Sequence, residues 1–148
     1  MTPEVGAELV NPVAQTRQVF RATAASTDGA YVELETTYPP NSAKPPLHLH
    51  PSQEEHFTVL AGRLHAIVDG AERDVGPGEE LVVPPGTSHQ MWATADEPTQ
   101  FTWRTSPALR TDQFFCDLWQ AAADNGFEPD VMKAYEVTLR YPDEFCLC

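Results

Sequence analysis

Proline, often paired with a second proline or placed beside glycine, interrupts the chain so frequently before residue 107 that only short elements fit between the breaks. The chain has 14 prolines among 148 residues, and a helix interior does not tolerate them. The runs between the breaks, such as AYVELETTY at 30–38 and HFTVLAG at 56–62, are rich in β-branched and aromatic residues. Runs of this kind predict about seven to nine short strands in a sandwich or barrel.

The periodicity of the apolar residues changes after Pro107. The segment 111–126 carries apolar residues at helical spacing, with Thr111 as a candidate N-cap and Asn125-Gly126 at its end. A second helix is predicted over 129–142, between two prolines. We therefore expect one domain, with an N-terminal arm over 1–17, a β-domain over 18–106 and a helical extension over 107–148. The two helices are expected on the outside, where they could cap the open end of the barrel or build the dimer interface, and where shielding of one sheet face is the favoured role.

Charge excludes two classes of partner. The chain has 22 acidic and nine basic side chains, for a net charge of -13. Because contacts with phosphates need a basic face, we expect no nucleic-acid partner, and an anionic membrane surface does not attract such a chain. The first 30 residues lack the apolar run of a signal peptide, and no stretch approaches the ~20 apolar residues of a membrane span. We expect a cytoplasmic protein.

The three cysteines do not form a disulfide framework. They are few, odd in number and placed late in the chain, whereas a disulfide-stapled domain carries an even, regularly spaced set. We expect Cys146 and Cys148 to lie in a frayed tail.

Three of the five histidines fall within residues 48–56. His48 and His50 are two apart on a predicted strand and therefore share one face. A turn at 51–53 brings either Glu54 or Glu55 to the start of the neighbouring antiparallel strand, within cross-strand distance of them. Two imidazoles and a carboxylate at one point suit a divalent metal. The alternative is that the histidines are ordinary polar residues on a solvated strand face.

A second block of residues ends in another histidine, His89, just after a Pro-Gly turn. With the first block it resembles the two motifs of the cupin superfamily, G(x)5HxH(x)3-4E(x)6G and G(x)5PxG(x)2H(x)3N. The matching residues are His48, His50, Glu55 and Gly62 in the first motif and Gly78, Pro84, Gly86 and His89 in the second. Two positions depart from the motifs, since Asn41 or Ser42 stands for the opening glycine and Ala93 for the closing asparagine.

The resemblance implies an all-β fold, the double-stranded β-helix or jelly-roll cupin barrel, here followed by the two short C-terminal helices. It also implies a homodimer and a metal inside one end of the barrel, held by His48, His50, Glu55 and His89. A mixed set of nitrogen and oxygen ligands suits Fe, Mn, Ni, Cu, Co or Zn and does not choose among them.

Strand alternation predicts which neighbours of the ligands face the pocket. Phe57 and Val59 point inward if Glu55 does, and Met91 joins His89, with Ala93 at the closing position of the motif. A bulge at Gly62 leaves the direction of His65 open, so we include it among the candidate pocket residues. His56 is expected to point away from the metal.

Three functions are compatible with such a site. The first is a metal-dependent oxidoreductase of the dioxygenase kind, acting on a small organic molecule, with Glu54, or a detached Glu55, as the base. The second is a non-redox isomerase, cyclase, lyase or decarboxylase that uses the metal as a Lewis acid. The third is a protein that binds a small molecule without turnover. The first is favoured by analogy with the family, and fold alone does not decide among them.

Overall fold

A computed structural model describes residues 1–148 and contains eleven strands and two helices. The strands are β1 (Glu8–Asn11), β2 (Thr16–Ala22), β3 (Val32–Tyr38), β4 (His48–Leu49), β5 (Glu54–Ala61), β6 (Leu64–Val68), β7 (Ala71–Val75), β8 (Glu80–Val83), β9 (His89–Ala93), β10 (Thr99–Ser106) and β11 (Cys146–Leu147). The helices are α1 (Thr111–Asp124) and α2 (Val131–Thr138). Neither helix is both long enough and apolar enough to span a membrane.

The strands form two antiparallel sheets, in the orders β1-β2-β3-β10-β5-β8 and β11-β4-β9-β6-β7. Side chains from both sheets meet in a core of eleven buried residues, which includes Phe57, Leu64 and Phe101. The predicted jelly roll with two C-terminal helices is confirmed. The sheets pack face to face and are not joined by hydrogen bonds into a closed barrel, so each sheet keeps two edge strands.

The two strands beyond the expected number lie near the ends of the chain. β1 pairs with β2 and extends the larger sheet. β11 pairs with β4, so that Cys146 lies opposite Leu49 and Leu147 lies opposite His48. The expectation of a frayed tail at Cys146 and Cys148 is therefore wrong, because the backbone of this segment completes the hydrogen bonding of an edge strand.

Helix α1 packs over β1, β2 and β3 through a second apolar cluster, to which it contributes Cys116. Its N-terminus is held by the buried Gln53, whose amide donates to the carbonyl oxygens of Pro107 and Ala108 and to the Thr111 hydroxyl. Thr111 is the first helical residue rather than the predicted cap, and its hydroxyl bonds Gln53 instead of a helical N–H. The predicted end at Asn125 is confirmed.

Helix α2 is short and mostly exposed, with Val137 as its one buried residue. The Asp130 carboxylate caps its start by accepting from the backbone N–H of Lys133. Val137 packs with Phe114 and Tyr141 in a third cluster. Both helices also line the cavity described below, so the expectation that they only shield a sheet face is corrected.

Two turns at positions of the sequence motifs require special backbone conformations. Gly62, between β5 and β6, has φ +83, and a Cβ there would lie 2.7 Å from Thr99 Cα, so only glycine fits. Asn41 has φ +49, a left-handed conformation that asparagine adopts more readily than most residues. This explains how a chain without the opening glycine of the first motif still makes the turn.

Candidate metal centre

Four side chains from three strands and one turn meet between the two sheets at one end of the molecule. His48 lies on β4, His89 lies opposite it on β9, His50 follows β4, and Glu55 is on β5. Their potential ligand atoms all lie within 4.8 Å of one another. His50, Glu55 and His89 are buried, and His48 is half-buried.

The backbone orients all three imidazoles in the same way. The Nδ1 of His48 donates to the Pro46 carbonyl oxygen at 2.9 Å, and the Nδ1 of His89 donates to the Thr87 carbonyl oxygen at 2.9 Å. The Nδ1 of His50 donates to the carbonyl oxygen of Glu144 at 2.7 Å. Since a carbonyl oxygen can only accept, each Nδ1 carries the proton, and the neutral ring keeps a lone pair on Nε2. This is the tautomer of metal-binding histidines.

These residues fit a divalent cation. Glu55 Oε1 lies 2.9 Å from His50 Nε2 and 2.8 Å from His89 Nε2. The His50 Nε2 is buried and has no hydrogen bond of normal geometry. The Nε2 lone pairs of His50 and His89 therefore both face Oε1 of the Glu55 carboxylate. Only a positive charge between them, either a proton or a metal ion, removes the electrostatic repulsion. Nitrogen and carboxylate donors together suit a divalent transition metal.

The second carboxylate oxygen of Glu55 is held by Trp103. The indole N–H of Trp103 donates to Glu55 Oε2 at 2.6 Å, which directs Oε1 toward the histidines. Burial opposes ionisation of Glu55, yet the positive charge and the Nε2–H donors that His50 and His89 offer when they are protonated hold the pKa of Glu55 well below the ordinary range. The site therefore contains a buried anion at neutral pH.

The histidines differ in their electrostatic surroundings. Burial lowers the pKa of His48 to about 4, and the neighbouring His89 and His50 lower it further. Burial also acts against protonation of His50, but the Glu55 carboxylate outweighs it and raises the pKa of His50. His48 therefore stays neutral through the physiological range.

A cavity of about 460 Å³ opens over the four side chains. Thirteen of its twenty lining residues are hydrophobic, and none is a lysine or arginine. The two helices supply Phe114, Phe115 and Leu118 from α1 and Met132 and Tyr135 from α2. This volume lies within the ~300–1,000 Å³ typical of small-molecule sites, so the arrangement can hold a small, largely apolar molecule beside the cluster.

The other predicted pocket residues are divided between the cavity and the core. Phe57 and Met91 line the cavity. Val59 and Ala93 are fully buried in the core between the sheets and do not reach it. They lie deeper along the same strand faces, where the opposite sheet packs against them.

Two predicted residues lie outside the site. His65 is on the outer face of β6, where its Nδ1 is 3.0 Å from Asp74 Oδ1 and its ring packs near Trp92, so it does not line the cavity. Glu54 is exposed, because alternation along β5 turns it away from the buried Glu55. His65 is therefore not placed to line the pocket, and Glu54 is not placed to act as the base.

His56 also points away from the cluster, as expected. Its Nε2 is 3.4 Å from Glu80 Oε2, on the outer face of the larger sheet.

Three residues at the site were not identified from the sequence. Phe145 stacks on His48, with ring centroids 4.8 Å apart and 17° between the ring planes. Glu144, through its backbone, orients His50. Tyr38 lines the cavity, and burial together with the Glu55 charge raises its pKa to about 12, so its hydroxyl stays protonated. Aromatic residues just before the CLC end were the only local signal for the first two.

Comparison with known proteins places these features in a family. Residues 34–104 match the family model described as "Cupin domain". Among solved structures, KdgF from Halomonas sp. superposes with a TM-score of 0.60 at 15% identity, over 71% of this chain and 89% of that one. At this identity the likeness bears on the fold alone.

Curated relatives are more similar in sequence. Oxidoreductase macE of Penicillium terrestre is 38% identical over 115 residues, which cover 73% of this chain and 42% of that protein. The probable oxidoreductase yanE of Aspergillus niger is 33% identical over 117 residues, again 73% of this chain and 42% of that protein. The chain thus spans less than half the length of these relatives.

Proposed function

We propose that this chain, whose residues 34–104 match the cupin domain model, is a metal-dependent oxidoreductase of the dioxygenase kind acting on a small organic molecule. The observation that carries the proposal is the set of His48, His50, Glu55 and His89, whose ligand atoms converge below an apolar cavity. Its relatives named as oxidoreductases support a redox reaction.

In the proposed enzyme these four residues hold one divalent transition metal. The metal, when bound, supplies a positively charged centre with open positions for the oxygen atoms of a substrate and for dioxygen. Fe, Mn, Ni, Cu and Co are compatible with redox chemistry at such a ligand set, and Zn is compatible only with Lewis-acid chemistry.

The protein's own residues bind the substrate and exclude water. Phe57, Met91 and Trp103 form the sheet side of the cavity, and Phe115 on α1 and Met132 on α2 lie across from them. Since these walls offer little hydrogen bonding to water, an apolar substrate is favoured and the electrostatic interactions inside the site are strengthened. No lysine or arginine lines the cavity, so we propose a substrate without a permanent negative charge.

Glu55 is the proposed base, because Glu54 is exposed and faces away from the cavity. A hydroxyl or enol group of the substrate can pass its proton to Glu55 Oε1 when this carboxylate detaches from the metal, while the indole N–H of Trp103 still holds Oε2. The protonated hydroxyl of Tyr38 is placed to donate a hydrogen bond to a substrate oxygen.

The decisive experiment is metal analysis of protein purified without chelator or His tag, followed by oxygen uptake with catechols, flavonols and β-diketones. We expect near-stoichiometric redox metal and oxygen consumption with one of these classes. Zinc without oxygen uptake would instead favour a Lewis-acid enzyme or plain ligand binding. Absence of any metal after reconstitution would refute the proposed metal site.

Single alanine substitutions test the ligand set. His48→Ala, His50→Ala, Glu55→Ala and His89→Ala should each lose bound metal, since each removes one of four donors. His56→Ala is the matched control, because His56 lies on the outer face of the sheet. Full metal retention in His89→Ala would contradict the site. The homodimer implied by the family stays a prediction, which sedimentation analysis of the purified protein measures.

A further inference from the structure

A second cavity, of about 550 Å³, lies beside the one over the metal centre. Five residues line both cavities and form the boundary between them: Tyr38, Pro45, Met91, Leu118 and Ala134. We call the first the inner cavity and the second the outer cavity. Each has the volume of a small-molecule site by itself.

The two cavities differ in chemistry. The inner cavity is lined mainly by aromatic and aliphatic side chains. Only half of the residues around the outer cavity are hydrophobic, and the rest include the hydrogen-bonding side chains of Asn11, Thr16, Ser42 and Asn125. The outer cavity also carries Lys133 beside two acidic residues, so its charges are mixed.

The outer cavity reaches solvent. Lys133, which lines it, is exposed. Its other walls come from the turn after β1 and from the loop between α1 and α2. The outer cavity therefore presents polar groups to solvent, beside the apolar inner cavity.

Tyr38 lies at the boundary between the cavities. It is the last residue of β3, its ring packs edge-on against Phe101 at 5.1 Å, and no protein group bonds its hydroxyl. A phenol held in this way offers one hydrogen-bond donor at the point where an apolar environment changes to a polar one.

We propose that the outer cavity is a substrate subsite, and that the enzyme's substrate is an elongated, uncharged amphiphile. Its aromatic or enolic head lies over the metal centre, its chain passes Tyr38 and Leu118, and a hydroxyl- or amide-bearing end occupies the outer cavity. The inference rests on the proposed function for the identity of the head group, and adds the length and the polar end of the substrate.

Binding to zinc-loaded protein tests the subsite, because zinc has no redox chemistry and the probes are not consumed. The probes are catechol and a series of catechols carrying alkyl chains of increasing length, each ending in a hydroxyl. We expect Kd, measured by calorimetry, to fall about fourfold per buried methylene, and by at least ~10-fold over the series. A Kd that does not change with chain length would overturn the subsite.

A matched pair of substitutions on α1 locates the effect. Ala122 lines the outer cavity alone, and the next residue, Ala123, lines neither cavity. Ala122→Trp should remove the gain in affinity that the long probes show over catechol, and should leave the Kd of catechol unchanged. Ala123→Trp should keep that gain in affinity. Ala14→Trp, at an exposed loop residue of the same cavity, gives the same test if Ala122→Trp does not fold. A gain that persists when the outer cavity is filled would refute the proposal.

This binding test of the subsite does not depend on catalytic turnover. If iron-loaded protein consumes no oxygen but the zinc-loaded protein still shows the length dependence and its loss in Ala122→Trp, the proposed oxidation fails and the subsite stands. If oxygen uptake occurs but chain length has no effect on Kd, the subsite fails and the oxidation stands.

Discussion

Replacement of Trp103 by phenylalanine isolates one hydrogen bond at the metal centre. The substitution removes the indole N–H that donates to Glu55 Oε2 at 2.6 Å. A phenylalanine ring retains much of the packing of Trp103 against Phe57 and Phe115, whose ring centroids lie 5.3 and 5.1 Å away. The main change is therefore a buried carboxylate oxygen without its donor.

The size of the effect follows from the charge of the acceptor. A hydrogen bond to a charged group contributes about 1.5–3 kcal/mol, and each 1.4 kcal/mol corresponds to about tenfold in Kd. Loss of a group that orients a metal ligand typically costs about 10–100-fold in metal affinity. We therefore expect Trp103→Phe to weaken zinc or cobalt binding by about 10–100-fold, because Glu55 loses the contact that directs Oε1 toward the histidines.

Competition with a chelating dye measures the metal Kd, and circular dichroism checks that the variant is folded. The control is Trp92→Phe, because Trp92 lies on the outer face of β9 near His65, at 5.1 Å between ring centroids. Unchanged metal affinity in Trp103→Phe, or an equal loss in Trp92→Phe, would refute the role given to the indole.

Three further substitutions test how the helices and the C-terminal segment are held. Asp117→Asn alters the hydrogen bond accepted from the Tyr141 hydroxyl and should lower the free energy of unfolding by about 1–3 kcal/mol at neutral pH. Burial acts to raise the pKa of Asp117, but hydrogen bonds from Tyr141 and Gln113 outweigh it and lower that pKa. The extra stability of the wild type over Asp117→Asn should therefore be complete above pH ~3.9, the pKa of this carboxyl in the unfolded chain. It should be lost as the pH falls through the lower pKa of the carboxyl in the folded protein, and urea unfolding across this pH range measures the loss. Gln53→Leu should destabilise the protein by about 1–3 kcal/mol, since the acceptors at the start of α1 lose their donor, and urea unfolding at neutral pH checks this. Phe145→Ala should lower the melting temperature while metal content stays stoichiometric, because the ring stacks on His48 without taking part in the ligand set.

Part of the ligand cluster could be predicted from local rules, whereas the choice of Glu55 and the addition of His89 came from the resemblance to the cupin motifs. Strand alternation places His48 and His50 on one face, and the spacing of the two motifs selected Glu55 over Glu54. The tight turn at Gly62 was also visible as a glycine between two strand-like runs. Each of these inferences needs only residues within one or two neighbouring elements.

The remaining walls of the site depend on contacts between distant parts of the chain. The direction of Trp103 follows from the pairing of β10 with β5, which shifts register between Gln100 and Phe101, and no sequence signal marks that irregularity. The pairing of β11 with β4 joins residues about a hundred positions apart. For these reasons Trp103 and Phe145 were not predicted, and capping by the helices was only one of the roles left open.

The fold separates the chemistry of the site from its selectivity. All four proposed ligands come from the strands and the turn after β4, and backbone carbonyl oxygens orient the three imidazoles. Much of the cavity wall comes from α1, α2 and the C-terminal segment, which are attached through apolar clusters and through the pairing of β11 with β4. Glu144 of the C-terminal segment forms an ion pair with Arg110 just before α1. Because Glu144 also orients His50 through its carbonyl oxygen, this segment is the one place where a change in the wall reaches the ligands. Substitutions on the helices should therefore alter which molecule binds and leave the metal in place, whereas changes that displace the Glu144 carbonyl oxygen should affect both.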